Sequence, residues 1–134
     1  MTTPNGQRSP INTPRTYVVD VFAKLTGGGA ATDMVNADST INGGGEISAA
    51  VRSALGTYTI TFRKTWPQLV QSPTFTFVDA TAVNIAGLDG NCTAIDVTAG
   101  TATFVFSQNS TTLVDIPSTT TVYVRWAVRA SSKN

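Results

Sequence analysis

The chain is 134 residues long, and its 9 Lys+Arg against 8 Asp+Glu, with no histidine and one cysteine, leave a formal charge of +1 at neutral pH. Only 13% of the residues are charged, so 23 threonines and 10 serines must coat much of the surface, and threonine, being β-branched, favours strands over helices. This balance disfavours a nucleic-acid partner held by phosphate neutralisation, the apolar runs are far short of the roughly 20 residues of a membrane-spanning helix, and the lack of histidine removes the commonest general base and metal ligand together.

Residues 1–15 read as an extended arm. Pro4, Pro10 and Pro14 punctuate a polar run whose charged side chains are Arg8 and Arg15, with Ile11 as the one aliphatic residue after Met1. Proline fixes φ and drives its predecessor toward extended conformations. Two readings stand: a loose tail, or an anchor that orders on a partner surface, with the arginines meeting carboxylates or carbonyls there. The start lacks the apolar core of a secretory signal, so synthesis in a cytoplasm is expected.

Residues 16–134 read as one β domain. Tyr17, Val19, Val21, Ala23 and Leu25 share one face of a first strand, while Val18 and Phe22 make the opposite face partly apolar, interrupted by Asp20 and Lys24. A strand apolar on both sides is central in a sandwich or covered by a neighbouring subunit. Residues 27–45, bounded by the triplets Gly27–Gly29 and Gly43–Gly45, read as a long loop and a contact surface. A short strand over Glu46–Arg52 and the turn Ser53–Gly56 lead into Thr57–Lys64, where Tyr58, Ile60 and Phe62 alternate with threonines. Trp66-Pro67 ends that strand, Gln68–Ser72 reads as a connector, and Thr74–Val78 and Ala82–Ala86 follow as short apolar pieces. Leu88–Asn91 reads as a turn. Cys92–Thr98 and Thr101–Ser107 flank Ala99-Gly100 as a tight hairpin. In Ser118–Ala130, Val122, Val124, Trp126 and Val128 point inward and Tyr123, Arg125 and Arg129 outward, the pattern of a strand in mid-sheet. The expected fold is all-β, an antiparallel β-sandwich or jelly-roll-like barrel of about seven to eight strands.

No arrangement of residues marks a catalytic, cofactor or metal site, and the chain is expected not to be an enzyme. The eight carboxylates are scattered singly, no Gly-x-Ser-x-Gly elbow occurs, and neither glycine triplet is followed by Lys-Ser or Lys-Thr as in a phosphate-binding loop. Asp89-Gly90-Asn91 lacks the spacing and terminal glutamate of a calcium loop. Cys92 reads as a small buried hydrophobe. Trp126 belongs to the core, whereas Trp66, at a strand end, is the candidate for an exposed aromatic contact.

The stretch Gly56-Thr-Tyr-Thr-Ile-Thr-Phe62, the hairpin from Val97 to Phe106 and the closing Thr121-Val-Tyr-Val-Arg-Trp-Ala-Val-Arg-Ala-Ser-Ser132 resemble small β-structured virion proteins of tailed bacteriophages. The resemblance spans roughly residues 50–132. It implies a virion location and, for a short chain with a polar arm, a capsid decoration (cement) protein that stabilises the assembled head. The partner would be the major capsid protein, the assembly a homotrimer, and no cofactor, nucleic acid or membrane is implied. Contact would fall to Arg8, Ile11, Arg15, Val18, Phe22 and Trp66. A tail-fibre or adhesin module binding a host glycan, and a head-tail connector or other virion structural protein, are the alternatives.

Overall fold

The two-residue alternation of this chain is satisfied by two facing sheets. In the computed structural model, which describes residues 18–36 and 46–130, the strands are β1 (Val18–Thr26), β2 (Val35–Asn36), β3 (Ile47–Ala54), β4 (Thr57–Phe62), β5 (Gln68–Val78), β6 (Leu88–Asp96), β7 (Thr101–Gln108), β8 (Thr112–Leu113) and β9 (Thr121–Arg129). The first sheet has the order β2-β1-β9-β5. The second has β3-β4-β7-β6, with β8 added to β7 beyond the end of β4. Every pairing among these strands is antiparallel. Of the two expected architectures it is the open sandwich that forms; the sheets do not close into a barrel.

The core is one continuous layer between the sheets. Val21, Ala23 and Leu25 from β1 and Val122, Val124, Trp126 and Val128 from β9 meet Tyr58, Ile60 and Phe62 from β4 and Phe104 and Phe106 from β7. The inward alternation read for β1, β4 and β9 is therefore the packed one. Phe75 and Phe77 of β5 fill one flank, with the Phe75 ring edge-on to Phe104 and Phe106 at centroid distances of 4.9 and 5.4 Å. Such pairs add roughly 0.5–1.5 kcal/mol beyond the area they bury.

Three local expectations are corrected. Gln68–Ser72 is not a connector: β5 runs unbroken through Pro73 to Val78, with register shifts between Leu69 and Gln71 and between Gln71 and Thr74. Proline is tolerated there because β5 is an edge strand and the ladder is already bulged. Leu88–Asn91 is not a turn but the first half of β6. Gly90 is required in that strand because a Cβ would stand 2.7 Å from the Phe75 ring, so the glycine marks close packing rather than a reversal. Ala82–Ala86 contains a single 3-10 turn at Ala82–Asn84. The β6–β7 hairpin forms as expected with a longer loop, 97–100, in which the Asp96 carboxylate accepts from the N–H groups of Thr98 (3.1 Å) and Ala99 (3.0 Å).

Residues 27–45 are only partly a loop. Met34 is buried and pairs with Ala50 across the edge of the second sheet, while Val35 pairs with Thr26 in the first, so this segment laces the two sheets together. Residues 37–45, with the second glycine triplet, lie outside the described residues.

At the end of the sandwich the buried Tyr58 hydroxyl accepts a 3.1 Å hydrogen bond from the Ile116 N–H. Replacing Tyr58 by Phe removes that acceptor and leaves a buried donor unpaired, so Y58F is expected to lower unfolding stability by about 1–3 kcal/mol. Urea titration of Y58F beside the parent chain measures this, and an unchanged midpoint contradicts the role given to the hydroxyl.

Candidate functional site

The outward positions of β1, β9 and β5 lie side by side by register. Phe22 is opposite Arg125, which is opposite Thr74; Lys24 is opposite Tyr123, which is opposite Thr76. Because alternate residues of a strand point to opposite faces, these six side chains share the outer face of the first sheet, where Phe22, Arg125, Thr74, Tyr123 and Thr76 line one depression and Lys24 stands beside the Tyr123 ring. The next row toward the start of β1 places Asp20 beside Ala127, and the row after it Val18 beside Arg129.

Two cations on this face are held over rings. The Arg125 guanidinium lies 6.0 Å from the Phe22 ring centre and donates through Nη2 to Asp20 Oδ2 at 3.0 Å. The Lys24 ammonium lies 5.9 Å from the Tyr123 ring centre. A cation over an aromatic face is attracted by the ring quadrupole, by about 0.5–1 kcal/mol at exposed sites. The result is a pre-arranged surface with an apolar floor and a cationic rim.

Of the contact residues expected from sequence, Val18 and Phe22 are on this face, Val18 being 60% exposed and Phe22 partly buried. Trp66 is not. It is only 7% exposed. After β4 the chain folds over the open end of the sandwich, where the Trp66 ring packs edge-on against Phe62 (5.6 Å) and Trp126 (6.0 Å) and the Trp66 backbone N–H donates to Val97 O. A strand-end aromatic next to proline thus closes the core instead of meeting a partner. Tyr123, 40% exposed, is the aromatic side chain that takes the outward place. Its position was readable from the alternation of β9; its pairing with Lys24 and Thr76 was not, since both depend on register between distant strands. Arg8, Ile11 and Arg15 lie outside the described residues.

Two carboxylates are occupied inside the fold. Asp115 accepts from Arg52 Nε (2.9 Å), the Gly56 N–H (2.9 Å) and the Ala31 N–H (2.8 Å), tying together three segments. Gly56 sits at φ +66, the left-handed region that suits glycine, which lets its N–H face the carboxylate. Burial pushes the Asp115 carboxyl upward, but the bonds from Arg52, Ala31 and Gly56 outweigh it and hold the pKa below the ordinary aspartate value. Asp79 accepts from Thr120 Oγ1 (2.6 Å), the Thr81 N–H (2.8 Å), Asn84 (3.0 Å) and Thr119 Oγ1 (2.8 Å), and those bonds hold its carboxyl well below the usual range. Burial pushes the Cys92 thiol up, away from the reactive thiolate. Among the described residues no three His, Cys, Asp or Glu side chains gather as a metal-binding set, and no helix is long and apolar enough to cross a membrane.

Comparison of the chain with models of known protein families, with curated proteins and with solved structures gives no match.

The Asp115 bonds carry a pH signature. A carboxyl whose pKa is lower in the folded than in the unfolded chain stabilises the fold above the unfolded value, about 3.9, and that stabilisation is lost as pH falls through the folded value. Asp115→Asn is expected to reduce stability at pH 7 and to flatten the decline below about pH 4, with Asp79 and Asp96, shifted in the same direction, supplying the remaining slope. Denaturant midpoints of both chains from pH 7 to acid, running parallel, would refute this account.

Proposed function

We propose that this protein is a structural component of a tailed-phage virion, a decoration protein that seats on the assembled head and stabilises it, acting as a homotrimer and made in the host cytoplasm. The observation that supports this reading best is the outer face of the first sheet. Val18, Phe22 and Tyr123 stand outside a core that is already complete, as expected of a body that works by adhering. The resemblance of the strands in residues 50–132 to small phage virion proteins points the same way, and the arm of residues 1–15, with Arg8, Ile11 and Arg15, is the second contact element of the proposal.

A cement protein that binds the assembled shell and not its free subunits stabilises the shell by an amount that grows logarithmically with affinity and free concentration. Three linked subunits raise avidity by roughly 10²–10⁴ over a single contact when all three engage. A tail-fibre adhesin that binds a host glycan is the second reading, favoured by the exposed Tyr123 ring beside the hydroxyls of Thr74 and Thr76. A head-tail connector role differs from both in location.

Immunogold labelling of intact particles is expected to place the protein on heads; label confined to tails, together with hits on a glycan array, rejects the decoration role in favour of the adhesin. Deletion of residues 1–14 is expected to leave a folded trimer by circular dichroism and sedimentation that no longer binds shells. Full retention of shell binding would remove the arm from the contact.

A further inference from the structure

We propose that the outer face of the β1-β9-β5 sheet docks onto an acidic protein surface, with Arg125 and Lys24 meeting carboxylates around an apolar side chain seated between Phe22 and Tyr123. This rests on the contact reading above and names the chemistry of the partner.

The two outer faces of the sandwich differ in sign. Among the described residues the first sheet presents Lys24, Arg125 and Arg129 beside one carboxylate, Asp20, which already accepts from Arg125. Within the strands, the outward positions of β3, β4, β6 and β7 present Asp89 and Asp96 among exposed and half-exposed threonines and no lysine or arginine, and exposed Arg63 follows β4 in the same alternation. With a net charge of only +1 over the whole chain, this is a separation of charge and not an excess. A face of this kind orients a protein as it approaches an oppositely charged surface.

Chemistry selects the occupant. A guanidinium presents five donors, and the bond to Asp20 engages one of its nitrogens, so Arg125 retains donors for a second carboxylate. Phe22 and Tyr123 supply the apolar contact that interface centres favour, and Thr74 and Thr76 supply a neutral hydroxyl rim. A sister subunit bound through the same face would set Lys24, Arg125 and Arg129 against their own copies, which repel. The chain's own arm fits no better, since residues 1–17 contain Arg8 and Arg15 and no carboxylate.

The test uses the full chain and an immobilised random copolymer of glutamate and tyrosine, with polyglutamate, heparin and single-stranded polyuridylate as comparators. Binding is expected to be strongest to the copolymer, to fall with rising salt, to weaken at least tenfold in both Arg125→Glu and Phe22→Ser, and to be unchanged in Asp89→Lys on the opposite face. Circular dichroism and a thermal melt establish that each variant is folded, and Arg125, with a side chain 56% exposed, is replaced at little structural risk. No binding of the parent chain to the copolymer, or equal binding by R125E, overturns the proposal. Tighter binding to heparin or polyuridylate overturns it in favour of an acidic glycan or a nucleic acid. Self-association of the parent chain that R125E abolishes overturns it in favour of a sister subunit. Label found only on tails, with copolymer binding still lost in R125E, rejects the decoration role and leaves this face and its chemistry standing.

Discussion

The register of β9 is the constraint on which the rest of the molecule depends. It is paired along its length on both sides, with β1 and with β5, so its inward residues cannot be moved without moving both neighbours. A slip of one residue would send Tyr123 and Arg125 into the core and Val124 and Trp126 to water, because the side-chain period of a strand is two. That double locking lets one strand serve two surfaces. Val122, Val124, Trp126 and Val128 hold the sheets together, while the intervening residues carry the charged aromatic face.

The polar groups complete what packing leaves open. A domain of this size buries about two-thirds of its unfolded surface, but the ends of a sandwich are loops whose backbone donors still need acceptors. Asp115 satisfies donors from two separated segments at one position, the loop at Ala31 and the hairpin at Arg52 and Gly56. Asp79 gathers Thr81, Asn84, Thr119 and Thr120 at another. With one cysteine in the chain no internal disulfide is possible, and these carboxylates do the work of cross-links between loops.

Much of this fold was legible in the residue pattern. The alternation of β1, β4 and β9, the hairpin between β6 and β7 and the all-β class follow from period-two apolarity and threonine content. Two of the corrections share one cause: proline and glycine read as local breaks where distant packing decides. Pro73 sits in a bulged edge, and Gly90 makes room for a ring from another sheet. Trp66 was misplaced for a related reason, since nothing beside it in the chain signals that Phe62 and Trp126 lie beneath it. Val18 and Phe22 were found on their face, but the cation over each ring depends on pairings between residues about a hundred positions apart, such as Phe22 with Arg125.

The pairing of Val18 with Arg129 places the first and last described strands at one pole of the body as immediate neighbours. Mechanically the two ends of this ladder are not equivalent. Tension applied between residues 18 and 129 would peel the nine β1–β9 pairs apart successively, like a zipper. Tension entering along β1 while the sheet face is held fixed would load all of those pairs at once in shear. A body held on this sheet face and pulled through β1 is thereby loaded in its stronger direction.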